Sequence, residues 1–282
     1  MEKDKLMKPA DTPAQLPDFS AIEDVVRRAG AILREAHLSD DAVTHKEGEA
    51  NFVTSYDVAV QKFLIEELRR ILPEADFFGE EETEGNTRGK GGNGYCFYID
   101  PIDGTTNFMF HYNFSCVSVG LAYQGKMMAG FVYNPYVDEM FTGIRGEGAF
   151  LNGKKLSMEN LSLEEGIASF GCARYNESNT DILFDTVKVM FQRCLAVRSG
   201  GSAALDLCRI AGGSSVIYLE LKLQPYDYAA ASVVIEEAGG VIAQIDGSPV
   251  TLDGPCSILA GTGRAVDEVR QIYNSCSKGS GS

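Results

Sequence analysis

Histidine is scarce in this chain: three in 282 residues, at His37, His45 and His111, with no HExxH pair. That excludes a zinc centre of the usual His/Cys kind. Positive charge is also short. Lys and Arg number 25 against 40 Asp and Glu, a formal net charge of −15. Direct binding to nucleic acid needs a basic face, because phosphate contacts supply most of the affinity, and no basic stretch is visible. No apolar run approaches the length that spans a bilayer. The opening MEKDKLMKPADTPAQLPD lacks the apolar core of a signal peptide. The seven cysteines include no CxxC pair, and most sit in apolar runs, so they read as reduced core thiols. The chain is therefore expected to be cytoplasmic, with no nucleic-acid or membrane partner.

What is present is apolar substance and clear periodicity. Hydrophobic residues make up 44% of the chain, enough for one large core or two intimate subdomains. Helical spacing predicts amphipathic helices over Ser20–His37, after the caps Asp18 and Ser20, and over Tyr56–Leu72, stopped by Pro73. Strand-like runs follow at 95–99, 115–123, 127–134 and 139–144. Turns at Gln124-Gly125 and Asn152-Gly153 suggest antiparallel hairpins. The glycine-rich 84–95 reads as a mobile loop and not as a P-loop, since Gly91 follows Lys90. GEGAFLNG at 146–153 lacks the third glycine of GxGxxG and reads as a turn. The second half alternates: helices at 182–193 and 202–211, a strand at 216–223, a helix at 228–238 ended by Gly239-Gly240, strands at 241–245 and 256–260, and a helix at 265–273. Blocks of strands and helices predict an α+β fold of layered sheets and helices. Residues 1–18 read as a flexible N-terminal segment, 19–275 as a single domain, and 276–282 as a flexible tail or cloning remnant.

The chemistry concentrates in YIDPIDGTTNF, residues 98–108. An apolar run ending at Ile99 predicts a buried strand with Asp100 at its carboxyl end, a common place for functional groups. Pro101 forces a turn that brings Asp103 back beside Asp100. Two carboxylates can then share hard cations, and Mg2+ suits such oxygen ligands. If a helix begins at Gly104, the N–H groups of Gly104, Thr105 and Thr106 converge on an anion. A lone DG would be an ordinary turn. Two acids, a proline and two threonines after a buried strand make a cation and phosphate site the better reading. Paired cations can clamp and polarise a phosphate and activate water against it.

DPIDGTTNF resembles the first signature of the inositol monophosphatase family of lithium-sensitive, magnesium-dependent phosphomonoesterases, and the likeness runs from about Ser20 to Tyr273. It implies an αβαβα layered sandwich of the sugar phosphatase type, usually a homodimer, acting with two or three Mg2+ on a small phosphorylated polyol or sugar. FFGEE at 77–81 resembles the family's GEE element and implies Glu80 as a metal ligand with Glu81 beside it. NFVTSYD at 51–57 implies that Asp57 pairs with Thr105 to orient the attacking water. YDYAAASVVIEEAGG at 226–240 resembles the second signature and implies Asp227 as a further ligand, in a position that is also expected to be a helix N-cap. The Ile102 carbonyl is implied as one more oxygen ligand. RSGGSAALDL at 198–207 implies Gly201 and Ser202 in the substrate pocket, with Ser202 equally readable as a helix cap. Glu220 matches a position that contacts substrate hydroxyls, and there it would also repel a second phosphate. Lys46 falls where family members often carry a lysine near the site. Tyr226 and Ala230 depart from the family's Trp and Gly.

Inositol monophosphate is the expected substrate. Fructose bisphosphatase or 3′-phosphonucleotide phosphatase activity on the same site, or a regulatory binding role of the fold, are the alternatives.

Overall fold

The computed structural model describes residues 16–36, 43–45, 52–87, 94–172 and 180–279. The chain opens with α1 (Phe19–Arg34), whose N-terminal N–H groups at Ser20 and Ala21 donate to the Asp18 carboxylate. A two-stranded ribbon, β1 (Val43–His45) and β2 (Phe52–Thr54), leads into α2 (Ser55–Ile71). A seven-stranded sheet then forms in order: β3 (Asp76–Gly79), β4 (Tyr95–Asp103), β5 (Cys116–Tyr123), β6 (Lys126–Asn134), β7 (Glu139–Ile144), β8 (Gly148–Leu151) and β9 (Lys154–Lys155). Only β3 and β4 run parallel; every other pair is antiparallel, as the hairpin turns predict. Both predicted turns take the left-handed backbone the geometry needs, with φ of 50° and 73° at Gln124-Gly125 and of 49° and 76° at Asn152-Gly153. A short helix, α3 (Thr105–Met109), is inserted between β4 and β5.

The second half builds a five-stranded mixed sheet in the order β11-β10-β12-β14-β13, from β10 (Ile167–Phe170), β11 (Ala196–Arg198), β12 (Ile217–Leu223), β13 (Val241–Ala243) and β14 (Cys256–Gly261). Four helices accompany it: α4 (Thr180–Arg193), α5 (Ala203–Ala211), α6 (Pro225–Glu237) and α7 (Gly263–Gly279). Helices α1 and α2 cover one face of the large sheet. Helices α5 and α6 lie between the two sheets, and α4 and α7 cover the outer face of the small one. The result is an α+β sandwich with layers in the order αβαβα.

The central layer depends on α6. It is buried on nearly all sides, as a helix between two sheets must be. Its backbone lies directly on glycines of the large sheet. A Cβ at Gly130 would collide with the Ala230 carbonyl, and one at Gly143 would lie 2.6 Å from the Val234 nitrogen. Ala230 is thus accommodated by the absence of side chains opposite it. Four apolar clusters of described residues fill the layers: one under α1 and α2, one around α5 and α6, one beneath α4 and α7, and a smaller one where β4, β5 and β6 meet α6.

Three expectations change. β4 does not stop at Ile99 but continues to Asp103 through a register shift. Residues 84–87 are pinned and not loose: Asn86 bonds the backbone of Gly79 and Glu81, and Thr87 bonds Phe77. Helix α7 carries on six residues past Tyr273 to Gly279, into the segment expected to be a tail. No helix among the described residues is long and apolar enough to cross a membrane.

Candidate active site

The register shift in β4 organises the site. Asp100 pairs with Ser118 and Asp103 with Cys116, so three steps along β4 match two along β5. Such a bulge bends the strand and re-aims side chains. Here it turns Asp100, the Ile102 carbonyl end and Asp103 toward one cavity. The Asp100 carboxylate accepts the Ile102 N–H at 3.0 Å, which fixes the turn locally. Gly104 follows with φ of 89°, and a Cβ there would meet the Gly201 carbonyl at 3.0 Å and the Phe114 carbonyl at 3.1 Å. Only glycine suits both the conformation and the space.

The cavity measures about 550 Å³. Its walls include Glu80, Asp100, Ile102, Asp103 and Asp227, together with Gly104, Thr105, Gly201, Ser202 and Glu220. Every one of these stands among the residues expected at the site. Glu80 arrives from the end of β3, its N–H donating to the Ile99 carbonyl at 3.1 Å. Asp227 arrives from the first turn of α6, where its Oδ2 accepts the Gln224 N–H at 2.7 Å. It is the third residue of that helix, not the cap, so one oxygen closes the helix start while the other is left for the cavity. Ser202 stands at the N-cap position of α5, as expected, but its side chain makes no capping bond. Its hydroxyl donates to Asp103 at 2.5 Å, and the Ala203 and Ala204 N–H groups donate to the same carboxylate at 3.2 and 2.7 Å.

Asp57 is fully buried behind this wall. Its Oδ2 accepts the Thr54 N–H and hydroxyl at 2.8 and 2.5 Å, and its Oδ1 accepts the Thr105 hydroxyl at 3.2 Å. Thr105 also lies 3.1 Å from the Ile102 carbonyl. Glu81 is buried but does not line the cavity; the Gln61 amide brackets its backbone. Lys46 lies outside the described residues. Cys172, expected in the core with the other thiols, is exposed and lines the cavity.

Charge is unbalanced here. Burial first, then Glu80, Asp103, Asp227 and Asp57, push the Asp100 carboxyl well above its ordinary range. Half-buried Asp227 is raised in the same direction, by its withdrawal from bulk water and then by Asp103 and Glu80. Burial raises Asp103 as well, against the opposing bonds from Ser202, Ala204 and Ala203. A divalent cation would supply the charge that this wall lacks, and the donors are hard oxygens of the kind Mg2+ and Ca2+ take. The hydroxyl of Ser118, across the strand pair from Asp100, is buried without a hydrogen-bond partner, a further sign of an unsatisfied polar environment. Among the described residues no three such side chains are yet drawn close enough to hold an ion. Each of Asp100 and Asp227 keeps one oxygen outside its backbone bond. The donor set fits a divalent metal.

The sequence reading missed three residues. Asn107 donates to the Phe114 carbonyl at 2.7 Å and to the Gly200 carbonyl at 2.8 Å. Asp206 accepts the Gly200 N–H at 3.0 Å. Together they hold Gly200 by its carbonyl and its N–H and set the course of the chain into Gly201 and Ser202. Tyr218 donates its hydroxyl to Glu220 at 2.5 Å. Asn107 belongs to the same signature as Thr105. An isolated acid in the otherwise apolar AALDLC of α5 was the available signal for Asp206.

A layered α+β fold that gathers an acidic, oxygen-lined cavity at its centre defines a class of divalent-metal hydrolases acting on phosphate. The model of the inositol monophosphatase family matches residues 16–275. Inositol monophosphatase 3 of Solanum lycopersicum is 35% identical over 81% of this chain and 86% of its own length. Among solved structures, the extragenic suppressor protein suhB of Bartonella henselae superposes with a TM-score of 0.82 at 28% identity, over 90% of this chain and 97% of that one. SaIMPase-II bound to inositol monophosphate superposes at 0.76 and 26% identity, over 90% and 92%. The chain belongs to the inositol monophosphatase family. It is a phosphoric monoester hydrolase, and membership implies a divalent metal cofactor.

Proposed function

We propose that this hydrolase removes phosphate from a small soluble polyol or sugar phosphomonoester, with inositol monophosphate its leading substrate and Mg2+, as two or three ions, its metal. The observation that supports this is one cavity joining the acidic wall, Thr105 with Asp57 bonded behind it, and Glu220. Glu80, Asp100, Asp103, Asp227 and the Ile102 carbonyl would hold the metal. Bound there, Mg2+ supplies counter-charge and Lewis acidity for the phosphate.

The chain's own groups do the rest. Thr105 Oγ accepts a proton from the attacking water while donating its own to Asp57 Oδ1, which orients the water and carries charge away from it. Glu80, at the opposite lip, fixes the water's second hydrogen. The Gly104 and Thr105 backbone and Asp103 border the phosphate. Gly201, Ser202 and Glu220 border the polyol. Glu81 acts from behind the wall, through charge.

We also infer a homodimer in the cytoplasm, inhibited by lithium. Phe184 and Phe191, one face of α4, and Leu195 beyond it are 48%, 68% and 72% exposed, which supports a partner over that helix. Sedimentation of wild type and Phe191→Asp tests it: a monomeric wild type removes the dimer.

Phosphate release from inositol 1-phosphate, fructose 1,6-bisphosphate and adenosine 3′,5′-bisphosphate, with Mg2+ and with EDTA, tests the function. Mg2+-dependent release, fastest from inositol 1-phosphate, is expected. No release from any of the three with Mg2+ would overturn the reading.

A further inference from the structure

We propose that, among open-chain polyol phosphomonoesters, the cavity prefers those that carry a carboxylate at the far end of the polyol, with Lys222 as its counter-charge. This rests on the phosphatase reading above and narrows its substrate class.

Strand β12 sends Tyr218, Glu220 and Lys222 to one face, at every second residue, and all three line the cavity. Exposure climbs along this row, from 1% at Tyr218 to 6% at Glu220, and Lys222 is exposed. The row therefore runs from floor to mouth. Between Glu220 and Leu223 the register slips: those residues pair with Ile258 and Cys256, three steps of β12 against two of β14. The extra residue makes a bulge at Leu221–Lys222, the device by which strands re-aim a side chain at the edge of a site.

Lys222 is the one cationic side chain among the described residues that line the cavity; the other charged lining groups are Glu80, Asp100, Asp103, Glu220 and Asp227. It has no hydrogen-bond or ion-pair partner among the described residues. Among the described residues its charge is uncommitted, in a chain of net charge −15.

The geometry orders a bound substrate. The reacting phosphate lies by Asp100, Asp103 and Asp227. Glu220, within electrostatic reach of Asp103 and Asp206, meets the middle of the polyol. Lys222 stands two residues further out, about 7 Å along the strand. A group reaching it is separated from the reacting phosphate by the length of a polyol chain. Glu220 was expected to repel any second phosphate. Burial pushes its carboxyl up to about 7, which thins its negative charge near neutral pH, and Lys222 supplies the opposite sign elsewhere on the cavity wall.

The test is a matched pair of substrates with Mg2+: glucitol 6-phosphate and 6-phosphogluconate, which differ only in a terminal CH2OH or carboxylate. Wild type is expected to show the higher kcat/KM on 6-phosphogluconate. Lys222→Gln should cut the ratio of the two values roughly two- to fivefold, the size of an ion pair with one partner in water, and Lys222→Arg should restore it. Added salt should lower the wild-type ratio and leave that of Lys222→Gln flat. A ratio that is the same in Lys222→Gln and wild type, or a wild type that prefers glucitol 6-phosphate, overturns this inference alone. A wild type that hydrolyses no phosphomonoester with Mg2+ overturns the phosphatase reading beneath it.

Discussion

Asp57 divides its carboxylate between two elements: Oδ2 closes the capping box at the start of α2 with Thr54, and Oδ1 accepts the Thr105 hydroxyl from α3 at 3.2 Å. One oxygen thus serves the helix start and the other faces the residue that the resemblance pairs with it. Asp227 repeats the pattern, third in α6 with one oxygen on the Gln224 N–H. The capping bond locks the rotamer, and a locked rotamer keeps the free oxygen aimed.

The Thr105 hydroxyl should matter for turnover more than for binding. Thr105→Ala is expected to lower kcat by about 10²-fold, the lower end of what a positioned proton-transfer group provides, with KM changed little. Thr105→Ser should recover most of the loss. Steady-state kinetics decide it: a wild-type kcat with a raised KM would reduce Thr105 to a phosphate contact.

Asp100→Asn should split activity from stability. Turnover at limiting Mg2+ should fall at least about 10²-fold, as when a major electrostatic group is removed. In EDTA the same variant should be more stable than wild type. Asp100 is raised in the folded protein, so the native state holds its proton longer than the unfolded chain, and stability falls as pH climbs above the ordinary carboxylate range. Removing the charge removes that penalty. Thermal unfolding at pH 8 with EDTA and then with Mg2+ checks both halves; a variant that gains as much from Mg2+ as wild type would mean Asp100 holds no metal.

The layered fold was legible because its elements carry strong periodicity: α1, α2 and every long strand of the large sheet fall within a few residues of their expected limits. The acidic wall was legible because its residues sit in short contiguous motifs. What could not be read was long-range. The bulge that extends β4 past Pro101 depends on pairing with β5, and Asp206 gains its role only when α5 brings it beneath Gly200. Nothing in the sequence marks the slip of β12 against β14 around Lys222.

Asp206 should act through the loop it holds. Burial is the main cause that pushes its carboxyl up to about 7, against the lowering bond from the Gly200 N–H. Being raised, it weakens the fold as pH rises from about 4 to about 7, where the unfolded chain has already lost the proton. Asp206→Asn keeps an acceptor for Gly200 and loses the charge. It should flatten the wild-type fall of Tm across that window and leave KM close to wild type. Asp206→Ala also removes the charge but strands the N–H, and should raise KM several-fold at a stability cost of about 1–3 kcal/mol. Equal KM and equal Tm in the two variants would show that the Gly200 bond positions nothing.

Glu220 should select hydroxylated substrates and do so in a pH-dependent way. Its carboxyl is 6% exposed, bonded by the Tyr218 hydroxyl, and pushed up to about 7 by burial before any other cause. Below that pH it is protonated and accepts a substrate hydroxyl weakly; above it the carboxylate accepts strongly. A hydrogen bond to a charged acceptor is worth about 1.5–3 kcal/mol, so kcat/KM for inositol 1-phosphate over phenyl phosphate should rise roughly ten- to a hundredfold through neutrality. Nearby cations pull the midpoint downward, so the rise should begin at lower pH as Mg2+ is increased. Glu220→Gln, which keeps an acceptor for Tyr218 and cannot ionise, should hold the ratio low and flat from pH 6 to 9. A ratio in Glu220→Gln that still rises with pH would assign the selection to another group in the cavity.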